Sequence, residues 1–462
     1  MQINITIDLL SKNDYNKIMR YNGKIHIVYD GMWGSCGKGK FCGELALDPK
    51  LKIDVCVNNN APNAGHSFVF EDGRKVVTKH IPIGFVNKNI PFLVLGESSV
   101  IDYDRLVYEL EEYKDLLNGR KLYIADTAAV ILTEHKDKEV SSIKTGSTFS
   151  GAGAASVDKL NRTNSLVFRD ERFKELERKG LIKIVPSKTF FSCIYEGLSG
   201  FSGNENILVE LSQGDALSIN NSDNYPFTTS RDCTPAAALK DIHATDYSQN
   251  VRKYCVFRPY PIRINNVGKA GFAYTGDFAG ADEISWEEVC ERCGLDPNEV
   301  SKKEFTTNTK KLRRVAEFSV KQFGKMLMDT KPDELFLNFA QYVDGHLEGL
   351  NETEAIKAQK QFVDPFKYDL YDDEEYQEVC IKNWAIEHLL GYVDYMKNLF
   401  KEACNDRVEI NITKLGTGAR CGETLRVAKL KNVSSSRHAN KDLNPLDYAD
   451  KTNVPDFDLD LN

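Results

Sequence analysis

The sequence contains no long apolar run. No stretch approaches the roughly 20 consecutive apolar residues that a membrane-spanning helix needs. The first residues, MQINITIDLLSKNDYNK, also lack the basic stretch and following apolar run of a signal peptide. With 462 residues, of which 41% are hydrophobic, the chain can bury a large core in one big or two ordinary domains. These features predict a globular protein of the cytoplasm, without membrane attachment.

The sequence also lacks an excess of positive charge. Lys and Arg number 60 against 68 Asp and Glu, which gives a formal charge of -8. Because a phosphate backbone is bound mainly by surplus Lys and Arg, this balance argues against a nucleic-acid groove but not against nucleotides as small ligands. The 11 cysteines have no disulfide-framework spacing, and the Cys290–Cys293 pair has no second ligand pair nearby. Free thiols in a reducing compartment, and no zinc site, are therefore expected.

Short apolar runs alternate with segments of helical periodicity. This alternation predicts an α/β fold with a large, mostly parallel central sheet flanked by helices. The predicted strands are 24–30, 52–57, 92–95, 122–125, 207–211 and 409–413, and the clearest predicted helices are 103–113 and 173–178.

We expect a single main domain over residues 24–426, preceded by an N-terminal extension, 1–23. Residues 351–375 include the acidic stretch DLYDDEEY and are interpreted as a surface insertion. A long helix should follow it, and residues 427–462 are interpreted as a polar tail that buries little surface. The predicted buried face of the long helix consists of Ile381, Trp384, Leu389, Val393, Met396 and Phe400.

The first apolar run leads into a glycine-rich stretch, GMWGSCGKGK at residues 31–40. A strand, a glycine-rich loop and a helix form the layout of a phosphate-binding unit, in which backbone N–H groups face a phosphate and a lysine neutralises it. Phe41 occupies the position where such loops usually carry the Ser or Thr that holds magnesium. Since a glycine-rich loop alone is often only a tight turn, a second motif is needed.

That second motif is NAGHS at residues 63–67. A histidine alone is usually structural, but GMWGSCGKGK followed by NAGHS closely resembles the paired signatures of the adenylosuccinate synthetase family. The resemblance continues in order along most of the chain. It is carried by HIPIG at 80–84, TGSTFSGAG at 145–153, ELSQG at 210–214, YPFTTS at 225–230, EFTTNTKKLRR at 304–314 and LGTG at 415–418.

The resemblance implies a ligase fold and a two-step reaction. A γ-phosphoryl group passes to the 6-oxygen of a purine nucleotide, and the amine of aspartate then displaces phosphate. The family also implies Mg²⁺, with Ser35 and the Gly65 carbonyl as candidate ligands, and a homodimer with shared sites. By resemblance, the candidate catalytic residues are Ser35, Lys38, His66 and Gln213.

The resemblance assigns three further groups of contacts. The acceptor nucleotide is expected at Ser35, Asn63, Thr148, Gln213, Thr229 and, from a second subunit, Arg162. The nucleoside triphosphate is expected at Gly37, Lys38, Gly39, Lys40, His66, Ser67, Arg313, Gln341, Gly416 and Gly418. The aspartate substrate is expected at Thr307, Thr309, Lys311 and Arg313.

Ser35 departs from the family pattern, which has an aspartate that accepts the N1 proton of inosinate and coordinates magnesium. A serine hydroxyl cannot act as a base near neutral pH without a partner, and it is a weak magnesium ligand. A short neutral side chain does leave room for an exocyclic 2-amino group. This change resembles the bacteriophage branch of the family, which acts on dGMP to make the precursor of 2-aminoadenine in phage DNA. The sequence leaves open which group accepts the N1 proton, and the aspartate substrate is one candidate.

Gln341 is a second departure, because ordinary members carry an aspartate there that accepts both protons of a guanine donor. A carboxamide offers one acceptor and one donor, which suits adenine N1 and N6. ATP or dATP is therefore the expected phosphoryl donor.

Smaller departures affect the loops. Lys311 replaces an arginine, Leu312 interrupts a basic run, Ser150 stands where the family has arginine, and a GPFPTE-like stretch is missing after Arg263. The sequence leaves two alternatives to a dGMP ligase. One is an ordinary adenylosuccinate synthetase that uses IMP and GTP, and the other is a catalytically silent nucleotide-binding protein.

Overall fold

A computed structural model describes residues 21–142, 148–162, 166–268, 271–272, 274–305, 311–362 and 373–438. Ten described strands form one sheet, in which every neighbouring pair is parallel except the last two strands at one edge. The predicted mostly parallel sheet is therefore confirmed. In spatial order its strands are Thr424–Arg426, Ile412–Gly416, Glu334–Leu337, Val251–Phe257, Ile25–Asp30, Asn206–Glu210, Ile53–Asn58, Phe92–Leu95, Leu122–Ala125 and Ile182–Val185.

The strand Ile25–Asp30 lies at the centre of this sheet, and all six of its residues are buried. Such continuous burial is typical of parallel strands that are covered on both faces. Among the described helices, none combines the length and apolar character needed to span a membrane. The helices are Lys38–Leu47, Tyr103–Glu112, Lys114–Leu117, Thr133–Ser142, Ala152–Leu160, Glu171–Arg178, Ser187–Glu196, Pro235–Asp241, Trp286–Cys293, Pro297–Lys303, Val320–Thr330, Glu352–Gln361, Glu374–Ala403 and Val427–His438.

The described residues also form four smaller sheets of two or three strands. An antiparallel hairpin follows the strand Ile53–Asn58 along the chain and consists of His66–Val69 and Lys75–Thr78. The other short strands are Val100–Ile101 with Ala129–Val130, Ile262–Arg263 and Glu283–Ile284 on either side of Arg314–Ala316, and Val267–Gly268 with Gly271–Phe272.

One strand boundary and one helix face differ from the prediction. The strand expected at 409–413 is Ile412–Gly416, because pairing with Glu334–Leu337 begins only at Ile412. On the long helix, Ile381 and Trp384 are exposed, so their assignment to the buried face was wrong. The buried positions in that part of the helix are Cys380, Asn383, Ala385 and Ile386. Because the polar residue Asn383 lies on the inner face of the helix, the positions of the apolar residues do not mark the buried face correctly here.

The predicted extension, insertion and tail also contain packed residues. Tyr21, in the predicted extension, is buried, and its hydroxyl donates to the Glu205 carbonyl at 2.7 Å. The predicted insertion contains the helix Glu352–Gln361, and the predicted tail opens with the helix Val427–His438. These two helices meet where the Gln359 side-chain amide donates to the Leu430 carbonyl.

The large sheet brings several of the sequence motifs together at the carboxyl ends of its parallel strands. The carboxyl ends of parallel strands lie together, and such ends are followed by the glycine-rich loop, NAGHS, Gln213, Gln341 and the LGTG loop. The direction in which the chain crosses the sheet reverses at Ile25–Asp30, which has Asn206–Glu210 on one side and Val251–Phe257 on the other. Ligands of open parallel sheets bind at such a switch point.

Candidate active site

Asp30, the last residue of the central strand, organises the glycine-rich loop. Its Oδ1 accepts hydrogen bonds from the backbone N–H of Met32 at 2.9 Å and Gly34 at 3.3 Å. Its Oδ2 accepts one from the N–H of Cys36 at 3.0 Å and lies 3.5 Å from the Lys38 ammonium. The sequence interpretation missed this role, although an acidic residue directly before the glycine-rich loop was a visible signal.

The loop needs glycine where another segment approaches it closely. Gly37 has a φ of 84° and precedes the helix Lys38–Leu47. A β-carbon at Gly37 would overlap the side-chain amide of Asn338, which donates to the Cys36 carbonyl at 3.0 Å. A β-carbon at Gly416 would overlap the same amide from the other side. Asn338 therefore joins the glycine-rich loop to the end of the strand Ile412–Gly416.

The two lysines of the loop point to different surroundings. Lys38 is buried beside Asp30 and donates to the Gln213 backbone carbonyl. Lys40 is also buried, and it donates to the Gly418 carbonyl at 2.7 Å. Burial lowers the pKa of Lys40, because its charge has lost water. Lys38 thus belongs to the middle of the site, whereas Lys40 holds the loop that follows Gly416.

His66 is held by a buried carboxylate. Its Nδ1 pairs with a side-chain oxygen of Glu210, the last residue of the neighbouring strand. Asn60 Nδ2 lies 3.3 Å from the same ring nitrogen, and the second Glu210 oxygen accepts the Ile83 N–H at 3.0 Å. With Nδ1 engaged in this way, Nε2 is the ring nitrogen that a substrate can meet. The role of Glu210 was also missed, since it depends on which strands are neighbours.

Gln213 follows Glu210 and has a φ of 57°. Its side chain is half-buried, and its backbone lies against Gly34 of the glycine-rich loop. Nearby, the Thr229 N–H donates to the Leu217 carbonyl at 2.8 Å. The half-buried Arg231 guanidinium donates to the backbone carbonyl of Asn59, so it holds the loop that follows the strand Ile53–Asn58. Arg231 is a further residue that the sequence interpretation did not identify.

The turn after Glu334–Leu337 forms the other half of the site. The Phe339 ring stacks parallel to Tyr342, with centroids 5.8 Å apart. The Arg258 guanidinium carbon lies 4.2 Å from the Phe339 ring centroid. Gln341 is 8% exposed, and its side-chain oxygen has no hydrogen-bond partner within the described part of the chain. Because a buried carbonyl without a partner is costly, this atom indicates a ligand contact.

The remaining predicted residues are distributed around this edge. Gly65 is exposed and Asn63 half-buried in the turn before His66, and Ser67 lies on the hairpin strand packed against Gly39. Arg313 donates to Glu304 at 3.2 Å. Thr307 and Thr309 lie outside the described residues, and Lys311 is exposed.

Thr148 and Arg162 lie on either side of the helix Ala152–Leu160. Thr148 is half-buried, and Arg162 is exposed with a φ of 62°.

Comparison with known proteins identifies the family of the chain. The family model for adenylosuccinate synthetase matches residues 27–190. The N6-succino-2-amino-2'-deoxyadenylate synthase of Vibrio phage phiVC8 is 36% identical over 325 residues, which cover 69% of this chain and 86% of that protein.

Two solved structures have the same fold. The succinoaminodeoxyadenylate synthetase of cyanophage S-2L, bound to dGMP and dATP, is 27% identical with a TM-score of 0.66 and covers 90% of this chain and 99% of that one. The adenylosuccinate synthetase of Plasmodium falciparum is 17% identical with a TM-score of 0.61, over 87% of this chain and 100% of that one. The chain therefore belongs to the adenylosuccinate synthetase family and, within it, to the bacteriophage branch.

Proposed function

We propose that the chain joins L-aspartate to C6 of dGMP while ATP or dATP is hydrolysed to the diphosphate and phosphate. The product is 2-amino-2'-deoxy-N6-succinyladenylate, a step toward 2-aminoadenine in phage DNA, made in the host cytoplasm. The observation that carries the proposal is the neutral Ser35 in a loop already organised by Asp30. The cyanophage relative, whose structure is bound to dGMP and dATP, supports it.

The acceptor half of the site suits the first step. The 6-oxygen of dGMP attacks the γ-phosphorus, and the bond from that phosphorus to the β-bridging oxygen breaks. N1 of the base loses its proton in this step, and a carboxylate of the aspartate substrate is the proposed acceptor. His66 Nε2 donates a hydrogen bond to the 6-oxygen and the transferring phosphoryl, and Glu210 stabilises the positive charge on the ring. Lys38 neutralises the phosphoryl, and Gln213 hydrogen-bonds the purine. Asp30 is engaged with three backbone N–H groups, so it serves the loop rather than N1 of the base.

The second step replaces the activated oxygen. The aspartate amine attacks C6, the C6–O bond breaks, and phosphate leaves while the nitrogen loses a proton. Thr307, Thr309, Lys311 and Arg313 are proposed to hold the carboxylates of aspartate. For dGMP itself, Asn63, Thr148 and Thr229 are proposed to hold the 5'-phosphate.

The donor half suits an adenine nucleotide. The unpartnered Gln341 oxygen can accept a hydrogen bond from adenine N6, while its NH₂ donates to N1. Gly37, Gly39, Gly416 and Gly418 are proposed to contact the phosphates and ribose through their backbone. The other proposed triphosphate contacts are Lys40, Ser67 and Arg313.

Mg²⁺ fits this site only with neutral protein ligands. In the described residues, no group of three or more His, Cys, Asp and Glu side chains is arranged to hold a metal. The exposed positions of Ser35 and Gly65 can offer one hydroxyl and one carbonyl oxygen. When bound, Mg²⁺ would neutralise phosphate charge, with substrate oxygens and water as its remaining ligands.

A homodimer is proposed because Arg162 is exposed and lies next to an apolar surface. On the preceding helix, Val157 is 53% and Leu160 is 79% exposed. Burying these side chains against a second subunit would bring Arg162 to the dGMP phosphate of that subunit. When the His66→Ala and Arg162→Ala variants are mixed and exchange subunits, about half of the dimers contain one subunit of each. Each mixed dimer has one intact site of two, so about a quarter of wild-type activity should be restored. Activity equal to the sum of the separate variants contradicts a shared site.

One turnover experiment tests the proposed reaction. Purified protein with aspartate and Mg²⁺ is offered dGMP with ATP, dGMP with dATP, dGMP with GTP, and IMP with GTP, while phosphate release and product mass are measured. Turnover with dGMP and an adenine donor is expected. Turnover restricted to IMP and GTP would overturn the proposal, and binding without turnover in every mixture would identify a silent nucleotide-binding protein.

A further inference from the structure

Glu304 lies at the centre of a buried group of charges beside the active site. Its Oε1 accepts hydrogen bonds from Arg258 at 2.8 Å and from the Tyr342 hydroxyl at 2.7 Å. Its Oε2 accepts one from Arg313 at 3.2 Å. Burial alone would raise the pKa of Glu304, but Arg258 and Arg313 outweigh burial and hold the pKa below its usual value. Glu304 is therefore ionised and fully engaged.

Each partner of Glu304 belongs to a different part of the site. Arg258 also approaches the Ser35 backbone carbonyl at 3.5 Å, which links Glu304 to the glycine-rich loop. Tyr342 shares the single turn Ala340–Tyr342 with Gln341, which is proposed to contact the donor base. Glu304 and Arg313 form the neck of the predicted aspartate loop.

The neck of that loop is closed by the backbone as well. The Arg313 N–H donates to the Glu304 carbonyl at 3.1 Å, and Phe305 bridges to Leu312 in antiparallel fashion. Any movement of the Glu304 carboxylate therefore moves both ends of the loop. In addition, two guanidinium groups face one carboxylate here. The surplus positive charge favours an anion such as a substrate carboxylate at the neck.

We propose that Glu304 is a positioning residue that couples nucleotide binding at the turn Ala340–Tyr342 to aspartate binding at the loop neck. This inference rests on the proposed function for the identity of the three substrates. Its physical basis is one carboxylate shared by the turn, the neck and the glycine-rich loop. A triphosphate that fixes the turn fixes Tyr342, and thereby Glu304 and Arg313. Because such coupling is reciprocal, aspartate must tighten nucleotide binding by the same factor.

The test compares two hydroxyl deletions. Tyr342→Phe removes the link between turn and carboxylate but leaves the buried charges in place. Tyr254→Phe is the matched control, because its buried hydroxyl hydrogen-bonds His26 at 2.9 Å on the strands rather than in the loops. Aspartate affinity is measured calorimetrically with dGMP, with and without an ATP analogue whose β–γ bridge is an imido group.

We expect the analogue to tighten aspartate binding about tenfold in the wild type and in Tyr254→Phe, and by no more than about twofold in Tyr342→Phe. Glu304→Gln should abolish the coupling and raise the KM for aspartate more than it lowers kcat. Equal coupling in Tyr342→Phe and Tyr254→Phe would overturn the inference, as would no coupling in the wild type. The titration is repeated with IMP in place of dGMP. Wild-type turnover identifies the acceptor nucleotide, whereas the titration measures the coupling between donor nucleotide and aspartate. Failure of the proposed function can therefore be distinguished from failure of the proposed coupling.

Discussion

The acceptor and donor halves of the site are built differently. In the proposed acceptor half, Lys38 and His66 are each paired with a buried carboxylate at the end of a strand, Lys38 with Asp30 and His66 with Glu210. In the proposed donor half, the proposed base contact is Gln341, a neutral amide whose oxygen has no partner in the described residues. Chemistry requires a charge that is already fixed, whereas base selection needs a hydrogen bond that only the correct ligand completes.

The strongest test of this difference is His66→Ala. We expect kcat to fall by about 10² to 10⁴, because general acid catalysis contributes that much. Nucleotide affinity should change little, since the loop is held by Asp30. Single-turnover kinetics and calorimetric titration with dGMP separate these quantities. A loss confined to KM would show that His66 only binds substrate.

The second test replaces the carboxylate behind the histidine. Glu210→Gln keeps the size of the side chain but removes the charge that stabilises a protonated ring, so we expect kcat to fall by about 10- to 100-fold. Glu205→Gln is the matched control, because that half-buried carboxylate lies just before the opposite end of the same strand. Equal activity of the two variants would contradict a catalytic pairing.

The donor half should change specificity rather than rate. Gln341→Asp supplies two acceptors for guanine N1 and N2, so the ratio of kcat/KM for GTP to that for ATP should rise by about tenfold or more. With dGMP as acceptor, maximal turnover at saturating donor should stay close to the wild-type value. An unchanged donor ratio would remove Gln341 from base recognition.

The smallest expected effect is at Ser35. Ser35→Asp places a carboxylate where a 2-amino group is proposed to lie, and it offers a base for N1, so kcat/KM should shift from dGMP toward IMP by about tenfold or less. Ser35→Ala serves as the control for loss of the hydroxyl alone. If both variants keep the wild-type preference, the position does not read the 2-amino group.

The sequence was sufficient for features with local signals. The strand, glycine-rich loop and helix at residues 25–47 follow from an apolar run and from glycines that only a close backbone approach requires. Glu210 and Arg231 were not recognised, because their importance arises from strands and loops that are distant in sequence. Asn383 shows the same limit, since a buried polar residue interrupts the apolar pattern of its helix.

Asn338 has a consequence for how this protein can change. Its amide lies between Gly37 and Gly416, which are separated by most of the chain. Any side chain at either glycine must displace that amide, and the Cys36 carbonyl then loses its donor. Gly37 has a φ of 84°, which disfavours any side chain, so it should stay glycine even when Asn338 is shortened. A library that randomises Gly37 should recover mostly glycine, whereas one that randomises Gly416 should accept alanine only when Asn338 is shortened as well.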